Sequence, residues 1–241
     1  MTTIVEVLNR VARRCKVAAP SSWVSATSRT HVEIRDDFLR ETIDDLQKRV
    51  DWPQPISAQT TIAGDGSEDY NLPSNFLRLS QGITGVYETT RTRRWGVPVS
   101  SDGAWTQLKN LGNAGTERYY RLKGYPGNYQ ISFYPNPATG ASITVSYMTD
   151  LWMASSAGTA GKMFTADDDV LLFERRPVEL GTIWRWRLDK GLDYEAEKRE
   201  YDLWIATQAN RMRGINSVHA AGGYDPGHPM RVPVPDFIPS S

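Results

Sequence analysis

The chain has 241 residues, 39% of them apolar and 23% charged, which suits one large or two small soluble domains. No apolar run is long enough for a transmembrane helix. Lys and Arg (28) balance Asp and Glu (28), which argues against phosphate binding as the main task, and one cysteine with three histidines excludes a disulfide framework and leaves little for metal or histidine chemistry.

The N-terminus lacks the basic and long apolar regions of a signal peptide, so none is expected. Thr3 and Glu6 form a capping box that predicts a helix start. Ile4, Leu8, Val11 and Cys15 then fall on one helical face, and Pro20 ends the segment. Thr30 and Glu33 predict a second capping box. Behind it Val32, Leu39, Ile43, Leu46 and Val50 make an apolar stripe, opposite a solvated face of Asp37, Glu41, Asp45 and Lys48. Trp52-Pro53 closes this helix.

From residue 54 the period changes to two. Ile56, Ala58, Thr60 and Ile62 alternate with mostly polar neighbours, and further strands are expected over 83–87, 118–123, 129–134 and 141–148. Trp105 and Leu108 suggest one short helix between them. Residues 154–161 are small and polar, as in a flexible loop. Helix is expected again from Thr165, with Asp167, Asp168 and Asp169 as its capping acids. Pro177 must kink that helix or restart it. Leu180, Ile183, Trp184 and Leu188 form its stripe, with Trp186 at the edge. Gly191 and Asp193 mark a tight turn into a last helix that carries Tyr194, Tyr201, Trp204, Ile205 and Met212 on one side.

After residue 214 periodicity ends and proline dominates. Val232, Val234, Phe237 and Ile238 are more apolar than a merely disordered tail requires, and Val-Pro-Val-Pro favours extended geometry. The expected fold class is α+β: a helical bundle (1–53 and 162–213), an inserted antiparallel β domain (54–161) and an extended C-terminal arm (214–241).

Motifs for catalysis are scarce. Cys15 lies on a core stripe, the aspartate triplet has no calcium-loop spacing, and there is no nucleophile elbow, P-loop or dinucleotide fingerprint. Arg91, Arg93, Arg94 and Trp95 pair cations with a stacking surface, the pattern of a nucleic-acid or tail contact, or of a solvated loop with one anchor. Tyr119, Tyr120, Tyr125, Tyr129 and Tyr134 could make a sugar platform or a half-buried sheet. Arg185, Trp186 and Arg187 suit a subunit interface, or core packing with ion pairs to Glu195 or Glu197.

Three local patterns resemble the head-to-tail adaptor (neck) proteins of tailed bacteriophages, of the tail tubular protein A type. They are Tyr70-Asn71-Leu72-Pro73-Ser74-Asn75-Phe76-Leu77-Arg78, then Tyr134-Pro135-Asn136-Pro137 with the strand Ile143-Thr144-Val145-Ser146-Tyr147, then Glu179-Leu180-Gly181-Thr182-Ile183-Trp184-Arg185-Trp186 with Lys190-Gly191-Leu192-Asp193-Tyr194. The opening Ile4-Val5-Glu6-Val7-Leu8-Asn9-Arg10-Val11 fits as well. Pro177 departs from the pattern, and the arm matches none of it. The resemblance implies a non-enzymatic virion protein, made in the host cytoplasm and placed in the neck. It implies a dodecameric ring of copies between the portal protein and a tail nozzle or tail-tube protein, with DNA passing through the lumen without sequence readout. No cofactor, metal or membrane is implied. By position, the arm residues Met230, Val232, Val234, Phe237 and Ile238 would dock on the portal. A heterologous ring contact suits the Arg185, Trp186 and Arg187 strip. The rival reading is an aromatic-rich carbohydrate-binding or cell-surface-degrading module, for which the sequence offers no placed carboxylate pair.

Overall fold

The computed structural model describes residues 2–53, 56–80, 85–91, 95–112 and 116–215, with side chains to residue 210. The N-terminal capping box forms: the Thr3 hydroxyl accepts from the Glu6 amide at 3.2 Å, and the Glu6 carboxylate accepts from the Thr3 amide at 3.3 Å. Helix α1 (Ile4–Arg14) follows and buries Ile4, Val7, Leu8, Val11 and Ala12.

The second capping box does not form. Ser28 precedes α2 (Arg29–Val32), so Thr30 lies inside the first turn and makes no cap bond. Glu33 instead meets Arg29 at 2.7 Å and Lys190 at 2.8 Å. A π-helical turn (Glu33–Phe38) then leads into α3 (Leu39–Arg49). The extra residue in that turn shifts the phase of the stripe. Ile34, Leu39, Ile43, Leu46 and Val50 are buried, while Val32 is half-exposed.

The middle of the chain folds into two facing sheets. In one, β8 (Ser142–Thr149) is central, with β1 (Ser57–Ala63) on one side and β3 (Phe76–Leu79) and β4 (Val86–Glu88) on the other. In the second, the order is β2 (Asp69–Asn71), β7 (Asn128–Tyr134), β6 (Arg118–Tyr125), β5 (Gly96–Pro98), and β5 runs parallel to β6. Helix α4 (Asp102–Leu111) is the expected short helix, capped by the Ser101 hydroxyl. Ile62, Phe76, Val86, Ile143, Val145 and Tyr147 of the first sheet enclose an apolar core with Leu72, Tyr120, Ile131 and Phe133.

Residues 154–161 are not a free loop. β9 (Met153–Ala154) pairs with β10 (Ala160–Gly161) and with β11 (Val170–Leu171), and the Ser155 amide donates to the Thr159 carbonyl at 2.8 Å. The aspartate triplet does not open a helix either, because α5 (Arg175–Asp189) begins later. Asp169 caps its own turn, accepting from the Thr165 and Ala166 amides at 2.8 and 2.9 Å. Asp167 accepts from the amides of Trp23 and Val24 at 3.2 and 3.1 Å. A side-chain oxygen that satisfies backbone N–H groups serves a turn as well as a helix N-terminus.

Pro177 falls in the first turn of α5, where its missing N–H costs nothing, and the helix runs on unbroken. The Gly191 φ of 65° permits the turn into α6 (Glu195–Ile215), and Asp193 accepts from the Glu195 amide at 3.2 Å. Helix α5 packs on α1, α3, the π-helical turn and α6, so it is buried on several sides rather than along one stripe. That is why Trp186 is a core residue, 7% exposed, and Leu188 is 48% exposed. The helical core also takes in Ile56, Met148, Trp152, Met153, Leu171 and Phe173. The fold is α+β, as expected.

Candidate functional site

Three regions carried functional expectations, and the structure adds a fourth. On α5, the Arg185 guanidinium lies over the Trp184 ring at 4.3 Å and near the Tyr201 ring at 5.6 Å. It donates to the Thr42 hydroxyl and the Gly181 carbonyl, each at 3.1 Å, and meets Asp45 at 3.3 Å and Glu41 at 3.7 Å. The Tyr201 hydroxyl donates to Asp45 at 2.7 Å. Burial, then the bond to Asp45, raises the Tyr201 hydroxyl well above the usual phenol range. Asp45, expected in solvent, is therefore the acceptor at the junction of α3, α5 and α6. Gly181 makes this convergence possible, since a Cβ there would stand 2.3 Å from Thr42 Cγ2 and 3.0 Å from Tyr201 Cε2.

Trp186 faces inward. Arg187 pairs with Glu197 at 2.8 Å across the α5–α6 hairpin and donates to the Asp193 carbonyl at 3.3 Å. These charges flank Cys15, whose thiol burial pushes up to about 12, with Arg187 opposing and Glu197 adding. Within the chain, Arg185 and Trp186 are thus occupied by core contacts, and Arg187, 27% exposed at its side chain, keeps the most surface of the three.

In the β module, Arg91 turns inward, donating to the Glu117 carbonyl at 2.6 Å and approaching Glu88 at 3.9 Å. Glu88 is gripped by Arg118 in a two-bond pair, 2.8 and 3.0 Å, with side chains 3% and 5% exposed. Burial alone would raise the Glu88 carboxyl. The Arg118 bonds and charge, with Thr90 and Arg91, outweigh it and hold the carboxyl below its usual range. Trp95 packs against Tyr87 with the rings tilted at 56° and their centroids 4.7 Å apart. Arg93 and Arg94 lie outside the described residues, as do Met230, Val232, Val234, Phe237 and Ile238 of the arm. The five tyrosines do not share a platform: Tyr120 is in the sandwich core, Tyr129 packs on Phe76, and Tyr125 is the exposed one, at 65%.

The fourth region joins the two modules, and its chemistry was not foreseen. Arg78 of β3 caps the C-terminal end of α3. It donates to the Gln47 carbonyl at 3.0 Å, to the Val50 carbonyl at 2.9 Å and to Asp51 at 2.6 Å. A cation at a helix C-terminus meets both the dipole and the unpaired carbonyls. In return Gln47 of α3 donates to the carbonyls of Thr149 and Leu151 at 3.2 and 3.3 Å. Trp52 stacks on Trp204 of α6, centroids 5.6 Å apart, and donates to the Leu46 carbonyl at 2.9 Å. The sheet is therefore clipped to the end of α3 by charge and side-chain amide, and the stacked indoles hold the segment after α3 to α6.

Among the described residues, no group of His, Cys, Asp and Glu side chains is placed to hold a metal ion, and no helix is long and apolar enough to cross a membrane. The arrangement is one of joints and ties between packed modules. No curated protein matches the chain. The family model of the SU10 adaptor protein matches residues 2–230, nearly the whole chain, and the protein belongs to that family of structural bacteriophage adaptors.

Proposed function

We propose that the protein is the head-to-tail adaptor of a phage neck, of the tail tubular protein A type, forming a dodecameric ring between the portal and a tail nozzle or tail-tube protein. DNA crosses its lumen without sequence readout. The observation that carries this is the family match, because it spans the helical module, the β module and most of the arm. The joint at Arg78 supports it. An adaptor must hold two partners at a fixed separation, and a junction tied by a charged cap and by the Gln47 side-chain amide resists bending. Balanced charge suits a conduit, because each fixed phosphate contact would slow transit.

Contact between neighbouring copies falls in this reading to the α5–α6 hairpin, where Leu188, Leu192 and Leu203 keep 48%, 49% and 66% of their surface. Arg187 contributes at its rim, while Arg185 and Trp186 fix the helix that presents them. The arm, through Met230, Val232, Val234, Phe237 and Ile238, docks on the portal. Arg91, Arg93, Arg94 and Trp95 mark the loop assigned to the tail side.

Co-sedimentation with isolated portal rings tests this. The full chain pellets with the rings, and a chain ending at Arg213 stays in the supernatant. Equal binding by both would move the docking to the helical module. Binding by neither would overturn the adaptor reading.

A further inference from the structure

Among the described residues the longest edge strand is β1. It pairs with β8 over seven residues in unbroken antiparallel register, from Ser57 opposite Met148 to Ala63 opposite Ser142. Two bonds fix which way its backbone points. The Thr149 amide donates to the Ile56 carbonyl at 2.8 Å, and the Gly64 amide donates to the Ala141 carbonyl at 2.7 Å. The even residues 56 to 64 therefore bond inward to β8. The odd ones, Ser57, Gln59, Thr61 and Ala63, aim their carbonyls outward, away from the sheet. Ser57 spends its amide on the Pro53 carbonyl, which leaves the amides of Gln59, Thr61 and Ala63 with no backbone acceptor among the described residues. All three residues are exposed.

Natural edges of this length are guarded by charge, proline or a bulge. Ser57–Ala63 reads Ser-Ala-Gln-Thr-Thr-Ile-Ala and has none of these. The sequence of the arm supplies a matching half. Between residues 228 and 236 every proline stands at an odd position: Pro229, Pro233 and Pro235. In an extended strand, alternate residues turn their N–H groups to opposite sides. Met230, Val232, Val234 and Asp236 would all donate toward one neighbour, and the odd side, left with the Arg231 N–H as its single donor, could not donate a ladder to a further strand. A strand of this kind fits only at the end of a sheet.

We propose that residues 228–236 of the chain's own arm lie along β1 as a closing edge strand. Reach favours the same chain. Trp204 of α6 stacks on Trp52, five residues before β1. The thirteen residues from 215 to 228 span up to about 40 Å when extended. A tethered segment acts at roughly millimolar effective concentration, so it fills the edge before a second copy does. The pairing itself does not depend on the adaptor reading. Combined with that reading, it makes β1 and the portal rivals for one segment, so docking on the portal would uncover the edge.

Residue-resolved amide hydrogen exchange on the free full-length protein tests the pairing. The amides of Gln59, Thr61 and Ala63 are expected to exchange slowly. In the variant Val232→Pro with Val234→Pro they are expected to speed up by roughly tenfold or more. The amides of Ala58, Thr60 and Ile62, which bond to β8, report that the sheet is intact and should stay slow in both. Free-peptide exchange of the three outward amides in the full chain overturns the proposal. So does slow exchange that the variant leaves unchanged. Protection that rises with protein concentration assigns the edge to a second copy and overturns the same-chain pairing. None of these readouts requires the portal, so a failed portal assay and a failed pairing are separate results.

Discussion

Arg78 Nη1 meets Asp51 Oδ1 at 2.6 Å, and through that pair a strand of the sandwich is fixed to the end of a helix in the other module. Both side chains are about four-fifths buried, at 19% and 20% exposure. Removing Arg78 would take that ion pair from a largely buried carboxylate and leave two helix-end carbonyls without their cationic donor. Arg78→Ala should cost about 2 to 4 kcal/mol in urea unfolding. It should also broaden or split the transition, since the modules would lose their main polar tie. Arg78→Lys should recover only part, because an ammonium cannot reach three acceptors with one planar fork. A single sharp transition in Arg78→Ala at wild-type stability would show that the Gln47 bonds and the apolar contacts hold the joint without the Arg78 cap.

Gly181 and Thr42 set a second test. Alanine has the higher helix propensity by about 1 kcal/mol, so an open site would gain from Gly181→Ala. Here the new methyl would meet Thr42 Cγ2 at 2.3 Å, and overpacking of a tight core costs about 1 to 3 kcal/mol. The net change should be destabilising. Adding Thr42→Ser removes the offending methyl while keeping a hydroxyl for the Phe38 carbonyl, so thermal unfolding of the double variant should show partial recovery.

Residue patterns foretold what is decided locally. The Thr3 and Glu6 box, the α1 stripe, the short helix at Trp105 and the turn at Gly191 all depend on residues within a few positions of one another. The failures have a common cause. Thr30 with Glu33, and the aspartate triplet, carry hydrogen-bonding side chains that suit a cap, a turn or an ion pair equally, and only distant partners such as Lys190 or Trp23 decide. The stripe on α5 misplaced Trp186 and Leu188 because one helical face was assumed for a helix that three others surround. Arg78 stood inside a quoted motif, yet its role could not be read. Its partners lie about thirty residues away, and nothing near it in sequence reveals that a helix will end beside it.

Cys15 offers a probe of the helical module. Its thiol is 7% exposed and pushed up to about 12, so the reactive thiolate is scarce at pH 8 and sterically covered. A disulfide reagent should label the folded protein only as fast as α1 and α5 part, and promptly in urea. Labelling should therefore accelerate in Gly181→Ala. Prompt reaction of the native wild type would contradict the packing of α1 on α5.

The pair of Glu88 and Arg118 gives a pH test whose sign is set by the geometry. The folded state holds the Glu88 proton more weakly than the unfolded chain, whose carboxyl titrates at about 4.3. The stabilisation is therefore complete above that ordinary range. It is lost as pH falls through the depressed folded value, where protonated Glu88 can no longer balance Arg118. Glu88→Gln keeps the shape and removes the charge, leaving a guanidinium 5% exposed with Arg91 nearby. At pH 7 the variant should be less stable by about 3 kcal/mol. The gap between wild type and variant should then narrow as pH falls below the carboxylate range. Other acids titrate in both proteins, so the difference in unfolding free energy isolates this pair. A gap that stays constant from pH 7 down to about pH 3 would mean that Glu88 acts through shape and hydrogen bonding, with no charge held in the sandwich wall.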